Sequence, residues 1–280
     1  MSIKAYAKLN LFLEVINKRP DQYHNLRSIM TSVDLYDTIY LKSLKKDAII
    51  IRSDKTEVPT DRSNIVYRIC EYVKQTYRIS SGVYIYIRKR IPIGGGLAGG
   101  SSNGAAVLQE LNKLWNLNLS DDELKKIALK FGSDIPYCLF HKTALATSRG
   151  EILSFLNIKY EGFVLIINPN ISVSTKEIFT NYPVKSKPLE QFNVENFRNC
   201  DIMSVSQYFY NELEGTVFDR YPDILEIIIQ LKHLSEEHPL MSGSGSTVFA
   251  VFKTKKEALK VASEYRKINH DHFVCVKKFI

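Results

Sequence analysis

The N-terminal residues alternate between apolar and polar side chains. From Ala5 to Val15 every second residue is apolar, and most of the residues between them are polar. Because successive side chains of a strand point to opposite faces, this alternation predicts a half-buried β-strand over residues 4–15. Lys8 and Asn10 lie two residues apart on its second face, so both polar groups point the same way.

Further elements follow from the type and spacing of the apolar residues. Runs rich in β-branched and aromatic residues predict strands, and apolar residues three or four positions apart predict helices. Strands are predicted at 37–44, 47–53, 82–91, 143–150, 162–169 and 273–279, and on both sides of a serine–glycine turn within 238–252. Helices are predicted at 63–77, 101–115, 120–130, 174–179, 204–214, 222–234 and 255–267. Strands cluster before helices, which predicts an α+β fold.

The segment PIGGGLAGGSSNGAA at 92–106 contains six glycines and connects a predicted strand to a predicted helix. Free backbone N–H groups and the positive end of the helix dipole meet at such a place, which favours an anion. A nucleotide-binding P-loop is excluded because Gly100 stands where that motif needs lysine. The dinucleotide fingerprint G-x-G-x-x-G matches Gly94, Gly96 and Gly99, but the segment does not open a regular βαβ unit.

Composition leaves several function classes open. The chain has 280 residues, 45% of them hydrophobic, which suits one large domain or two joined lobes. A net charge of +8 suits nucleic acid, acidic membrane or phosphorylated small molecules, and because the cations are dispersed it also suits a solvated basic surface. Cys70, Cys138, Cys200 and Cys275 lack zinc or disulfide spacing. With neither a leader pattern nor a long apolar run, we expect a soluble cytoplasmic protein.

Three separated segments together resemble the motifs of the GHMP kinases. AKLNLFLEV at 7–15 is similar to the first motif, the glycine segment to the second, and LMSGSGSTVFAVF at 240–252 to the third. DQYHNL at 21–26, FGSDIPYCL at 131–139 and NELE at 211–214 are similar to the branch that phosphorylates the 2-hydroxyl of a CDP-linked methylerythritol in non-mevalonate isoprenoid synthesis.

The resemblance implies a two-lobed α+β fold. Residues 1–155 would form the N-terminal lobe with a left-handed βαβ ATP-binding unit, and residues 156–280 a ferredoxin-like C-terminal lobe. It also implies a monomer or weak homodimer that binds a small molecule rather than nucleic acid or membrane. Another GHMP kinase, of homoserine or mevalonate type, and a nucleic-acid-binding module remain as alternatives.

The resemblance assigns catalysis to Lys8 and Asp134. Asp134 would accept the proton of the substrate hydroxyl, and Lys8 would lower the pKa of that hydroxyl. Each residue also has a plainer interpretation, because Lys8 could be a solvated strand lysine and Asp134 a helix cap.

The resemblance also implies the binding residues. Tyr23 and Phe179 would stack on cytosine, His24 would read the base edge, and Asn10 and Thr175 would contact the methylerythritol or the diphosphate. Phe179 could equally belong to the buried face of the helix predicted at 174–179. Asn64 would contact adenine or cap its helix, the turn at 242–247 would buttress the loop, and Ser102 would hold Mg²⁺ through ATP. The backbone that wraps ATP would be that of Pro92, Ile93, Gly94, Gly95, Gly96, Leu97, Ala98, Gly99, Gly100, Ser101 and Ser102.

Two residues of the glycine segment depart from the family pattern. Ala98 stands where many members carry glycine, and Gly104 where they carry alanine. Since a positive φ strains alanine, we expect a negative φ at Ala98.

Overall fold

The computed structural model describes residues 2–184, 192–198 and 201–280. The chain forms two compact units, of which the first contains Met1–Ala7, Leu35–Ile91 and Ala98–Phe140. The second contains Lys8–Asp34, Pro92–Leu97 and His141–Ile280. The strands at residues 2–18 and 24–44 each contribute residues to both units. The lobe boundary between residues 155 and 156 stays a prediction.

The elements run in the following order. The strands are β1 Ser2–Lys18, β2 His24–Leu44, β3 Ile49–Ser53, β4 Gly82–Arg88, β5 Ala144–Ser148, β6 Ile152–Phe155, β7 Phe163–Asn168, β8 Tyr210–Asn211, β9 Leu240–Met241, β10 Val248–Phe252 and β11 Phe273–Lys278. The helices are α1 Ile65–Thr76, α2 Gly99–Leu114, α3 Asp121–Leu129, α4 Ile135–Cys138, α5 Thr175–Asn181, α6 Ile202–Ser206, α7 Glu214–Arg220, α8 Pro222–Leu234 and α9 Lys255–Ile268, with a 3₁₀ turn at Val194–Phe197.

The first unit combines a β-sheet with the helices α1 to α4. Its strands lie in the order β3-β4-β2-β1, and β3 pairs in parallel with β4 through α1, which makes a βαβ unit. The left hand expected for this unit stays a prediction. Ile39, Ile51 and Ile85 are buried on the sheet, and Ile69 of α1 and Leu108 of α2 are fully buried in the same unit. Burying this apolar surface is the main driving force for the fold.

The second unit contains the predicted ferredoxin-like lobe. Its four-stranded antiparallel sheet has the order β11-β7-β10-β9. Helices α5 to α8 lie between β7 and β9 in the chain, and α9 lies between β10 and β11, which gives a βαββαβ pattern. Val248 and Ala250 of β10 pack with Ile227 of α8 and Tyr265 of α9 in one apolar core. The same unit pairs β8 in parallel with β1, and β5 with β2 and β6. The α+β prediction is confirmed.

Three sequence predictions of secondary structure need correction. β2 begins at His24 rather than residue 37, so the second half of the DQYHNL segment already belongs to a strand. Both faces of β1 are buried from Lys8 to Val15, because the polar positions contact other protein groups rather than water. The helix predicted at 204–214 is interrupted, since Tyr210 and Asn211 pair with β1 as β8.

Polar residues and two prolines predict a loop or a lobe boundary around residues 184–200, and part of this segment, including Cys200, lies outside the described residues. Within the described ranges, no helix is both long enough and apolar enough to cross a membrane.

Candidate active site

The glycine loop, residues 92–102, turns from the end of β4 into α2 through three left-handed residues. Gly94, Gly96 and Ala98 have φ values of 67°, 75° and 54°. The prediction of a negative φ at Ala98 is therefore wrong. Ala98 is the N-cap of α2, and its carbonyl accepts the first helical hydrogen bond from the Ser102 N–H at 2.8 Å. The geometry of this turn, rather than the preference of the side chain, sets the backbone conformation.

The serine turn, residues 242–247, supports the glycine loop. The Thr247 N–H donates to the Gly95 carbonyl at 3.2 Å, and the Ser242 hydroxyl donates to the Gly96 carbonyl at 3.2 Å. A Cβ on Gly96 would lie 2.1 Å from the Ser242 carbonyl oxygen, so no side chain fits there. The predicted buttress of the loop is confirmed, and the need for glycine at residue 96 comes from this close approach as well as from its positive φ.

Lys8 is buried beside the glycine loop, with 4% of its surface exposed. Its ammonium donates to the Asn10 Oδ1 at 2.5 Å and to the Gly96 carbonyl at 3.0 Å. The Ser28 hydroxyl donates to the Phe12 carbonyl at 2.6 Å and accepts from the Asn10 Nδ2 at 2.8 Å. This chain of bonds turns the amide oxygen of Asn10 toward Lys8.

The partners of the Lys8 ammonium are both neutral. Within the described part of the second unit, no carboxylate forms an ion pair with it. A buried charge that lacks an opposite charge is costly, and its interactions are strengthened by the low local dielectric. Lys8 is therefore ready to bind an anion that reaches it. The interpretation of Lys8 as a solvated strand lysine is wrong.

Asp134 belongs to the first unit and is half-buried at the N-terminal end of α4. Its backbone carbonyl accepts from the Cys138 N–H at 3.1 Å, but its side chain makes no capping hydrogen bond. The interpretation of the side chain as a helix cap is therefore wrong. Because the Asp134 carboxylate does not cap α4, capping does not prevent it from accepting a proton. Its pairing with Lys8 stays a prediction.

Asn64 is the N-cap of α1, and its amide also contacts the segment that precedes the helix. The Val66 N–H donates to its Oδ1 at 2.8 Å, and its Nδ2 donates to the Pro59 carbonyl at 2.5 Å. The cap alternative is confirmed, and α1 begins at Ile65, two residues later than predicted. Contact with adenine stays a prediction.

The two serines at the start of α2 differ in accessibility. The Ser102 hydroxyl is fully buried and has no hydrogen-bond partner among the described residues, whereas Ser101 is half-buried. A buried hydroxyl without a hydrogen-bond partner suits a ligand-binding role, but the residues that cover it must move before a ligand can reach it. Ser101 thus fits a magnesium-bound phosphate better than Ser102 in this conformation. Within the described ranges, no cluster of three His, Cys, Asp or Glu side chains could hold a metal ion alone.

His24 and Phe179 form an aromatic pair in the second unit. Their ring centroids are 5.4 Å apart with an angle of 29° between the rings. Burial, with a smaller effect of the Lys18 charge, lowers the pKa of His24, so at neutral pH the ring has one donor and one acceptor nitrogen. Tyr23 is half exposed and lies under the Arg149 guanidinium, 4.7 Å from the ring centroid. The structure brings His24 and Phe179 together, which leaves no room for a base between those two rings.

Thr175 and two asparagines also make polar contacts within the second unit. The Thr175 hydroxyl lies 2.8 Å from that of Ser244, at the serine turn. The Asn211 Nδ2 donates to the carbonyls of Met241 and Gly243 at 2.7 Å each, and the Asn168 Nδ2 donates to the Thr247 hydroxyl at 2.9 Å. Sequence reasoning gave neither asparagine a role, although the NELE segment that begins with Asn211 was part of the resemblance.

Comparison with known proteins gives the family. The model for the GHMP kinases N terminal domain matches residues 64–142, and the model for GHMP kinases C terminal matches residues 193–271. The 4-diphosphocytidyl-2-C-methyl-D-erythritol kinase of Clostridioides difficile is 41% identical over 263 residues, which cover 92% of this chain and 88% of that protein. The chain belongs to the GHMP kinase family.

Other relatives of this GHMP kinase agree. The protein of the same name from Geobacillus kaustophilus is 41% identical over 269 residues, with 95% of this chain and 93% of that protein covered. The crystal structure of a 4-(cytidine 5'-diphospho)-2C-methyl-D-erythritol kinase has a TM-score of 0.82 at 26% identity and covers 99% of both chains. A homoserine kinase from Cytophaga hutchinsonii has a TM-score of 0.65 at 18% identity, which shows a shared fold.

Proposed function

We propose that this GHMP kinase transfers the γ-phosphoryl group of ATP to the 2-hydroxyl of 4-diphosphocytidyl-2-C-methyl-D-erythritol, a step of non-mevalonate isoprenoid biosynthesis. The observation that carries the chemistry is the buried Lys8 ammonium, bonded to the Gly96 carbonyl of the glycine loop itself. The observation that carries the substrate is the 41% identity to relatives that bear this substrate in their name.

The glycine loop holds the triphosphate of ATP with backbone N–H groups and the start of α2. The positive end of the α2 dipole favours the phosphate charge, and the glycines allow the backbone to approach the phosphate oxygens. Ser101 or Ser102 would lie beside a Mg²⁺ ion bound together with the nucleotide, and that ion would supply positive charge against the phosphates. Because the motif lacks a lysine of its own, Lys8 provides the cation.

Phosphoryl transfer proceeds by attack of the substrate oxygen on the γ-phosphorus. A new P–O bond forms, the bond between the γ-phosphorus and the bridging oxygen breaks, and ADP leaves with the bonding electrons. Lys8 stabilises the negative charge on the attacking oxygen, and Asp134 accepts its proton. The amide of Asn10, fixed by Ser28, holds the Lys8 ammonium in place.

His24 and Phe179 recognise the cytidyl group. With its pKa lowered, His24 remains neutral near pH 7 and presents one donor and one acceptor to the edge of cytosine. Since its ring already stacks on Phe179, the base stacks on the outer face of Phe179 or on the half-exposed Tyr23. Thr175, held by Ser244, contacts the methylerythritol or the diphosphate. The protein acts in the cytoplasm as a monomer or weak homodimer.

The catalytic pair is tested by Lys8→Met and Asp134→Asn. Lys8→Met keeps the length of the side chain but removes its charge, and we expect kcat to fall by about 100-fold or more. Asp134→Asn removes the proton acceptor and should lower kcat by about 100-fold or more with the affinity for ADP preserved. Initial rates of ADP release and titration calorimetry with ADP measure both effects.

A matched control is Lys4→Met, which removes an exposed lysine of the same strand. Its kcat should stay within about twofold of the parent because an exposed charge contributes little. An unchanged kcat in both Lys8→Met and Asp134→Asn would remove the proposed catalytic pair.

A further inference from the structure

The two ends of the glycine loop meet at one buried carboxylate in the first unit. Asp37 of β2 is completely buried, and its Oδ1 accepts hydrogen bonds from the N–H groups of Arg90 at 2.7 Å and Ile91 at 2.9 Å. These residues lead into the loop. The Oδ2 accepts from the Asn103 Nδ2 at 2.8 Å, and Asn103 is in the first turns of α2, just after the loop.

The position of these bonds explains why an acidic residue is buried there. β4 ends at Arg88, so the N–H groups of residues 90 and 91 lose their sheet partners and need another acceptor. One carboxylate can accept from several donors at once, which an amide or a hydroxyl cannot do equally well. Asp37 thus fixes the spacing between the residues that enter the loop and the helix that follows it.

Lys89 neutralises this carboxylate. Its ammonium is paired with the Asp37 Oδ2, and only 6% of the residue is exposed. The Lys89 Nζ also lies 2.7 Å from the place where a Cβ on Gly99 would stand, so the ammonium contacts the first turn of α2. Without Lys89, an uncompensated negative charge would lie beneath the helix end that receives phosphate, and it would repel the nucleotide.

A buried ion pair is poor evidence for stability, because desolvation of the two charges offsets most of their attraction. The Asp37–Lys89 pair is better explained by the chain segments that Asp37 connects. We propose that Asp37 is a positioning residue for nucleotide binding, which clamps the two ends of the glycine loop, and that Lys89 cancels its charge. This inference rests on the proposed function in one respect, namely that the glycine loop binds ATP.

Asp37→Asn is the first test. Asparagine keeps one acceptor but directs an NH₂ group at Lys89 and Asn103, so the clamp is broken at the helix end. We expect the Kd for ADP to rise at least about tenfold, and the KM for ATP to rise with it, while the KM for the cytidyl substrate stays within about twofold. Titration calorimetry is done on protein shown to be folded by its circular dichroism spectrum.

Asp54→Asn is the matched control. Asp54 also accepts from the end of β4, from the Lys89 N–H at 2.7 Å and from the Arg90 guanidinium at 2.8 Å. Among the residues that the structure describes, it makes no hydrogen bond to α2, so this substitution should leave the Kd for ADP within about twofold. Equal effects of Asp37→Asn and Asp54→Asn would overturn the clamp.

Charge cancellation is tested separately with Lys89→Met. This variant buries an unpaired carboxylate and should weaken ADP binding most, by about 30-fold or more. Adding Asp37→Asn to it removes that charge, and the double variant should bind ADP more tightly than Lys89→Met alone. Weaker binding by the double variant would contradict the account.

Asn103→Ala covers the case in which Asp37→Asn does not fold. It removes only the bond between Asp37 and α2, and we expect a rise of about threefold or more in the Kd for ADP. An unchanged Kd in folded Asn103→Ala would overturn the clamp. A parent protein that binds ADP while these variants bind it equally well refutes this inference alone, whereas a parent protein that binds no nucleotide refutes the proposed function.

Discussion

Ala98 shows how one residue of the glycine loop departs from its intrinsic preference. Its φ of 54° places an alanine in the left-handed region, where the Cβ comes close to the following carbonyl. The sequence analysis predicted a negative φ here, because it considered the preference of alanine alone, whereas α2 must start immediately after the loop. A preference of about 1 to 2 kcal/mol does not override that requirement.

Ala98→Gly should remove this strain. The gain of about 1 to 2 kcal/mol from the left-handed region is partly offset by the larger entropy of glycine in the unfolded chain. We expect the free energy of unfolding, measured with urea, to stay equal or to increase by up to about 1 kcal/mol.

Ala106→Gly is the matched control within the same helix. Ala106 is buried in α2, so glycine there loses helix propensity and packing and should cost about 1 kcal/mol or more. A loss of stability in Ala98→Gly as large as that in Ala106→Gly would show that Ala98 is not strained.

At the scale of elements, the serine turn supports the glycine loop through hydrogen bonds. The sequence predicted both segments and the buttress between them. It did not predict which atoms meet, because the contact of Gly96 with the Ser242 carbonyl joins residues 146 positions apart in the chain. Likewise, the alternation in β1 predicted the strand but not the burial of its polar face, since Lys8 and Asn10 find their partners on other elements.

Gly96→Ala should be strongly destabilising. The added Cβ would meet a backbone oxygen at 2.1 Å in a residue with a φ of 75°, so the turn or the loop must move. We expect a loss of about 2 kcal/mol or more in the free energy of unfolding, measured by urea denaturation.

Gly100→Ala provides the comparison. A Cβ on Gly100 would have no atom within 4 Å, and the residue is helical. The free energy of unfolding of Gly100→Ala should therefore equal that of the parent protein or exceed it by up to about 1 kcal/mol. If Gly96→Ala were no less stable than Gly100→Ala, the tight contact between the loop and the serine turn would be refuted.

At the scale of the whole molecule, the two compact units interleave along the chain. The sequence predicted the α+β class, the ferredoxin-like sheet and the βαβ unit, because local periodicity and the family motifs carry that information. It did not predict that β2 extends from His24 to Leu44, since polar residues such as Ser28 and Thr31 in the middle of that strand hide its pattern. Those residues are buried because they bond to other polar groups.

The sequence predicted some residues of the candidate site and missed others, because some contacts join segments whose relation is not visible in the sequence. Lys8 and Asn10 were named, and the structure places them together. Asp37 and Lys89 were not, because an aspartate at the start of a predicted strand and a lysine at the end of another show no relation in the sequence. Only the folded sheet of the first unit brings these two charges into contact.

The most direct test of the proposed function compares acceptor alcohols with purified protein and ATP. ADP release is followed with 4-diphosphocytidyl-2-C-methyl-D-erythritol, mevalonate and homoserine, and ³¹P NMR locates the new phosphate. We predict a kcat/KM at least about 100-fold higher for the cytidyl substrate, with the phosphate on its 2-hydroxyl. Equal or faster turnover of mevalonate or homoserine, or no transfer to the cytidyl substrate, would contradict the proposal.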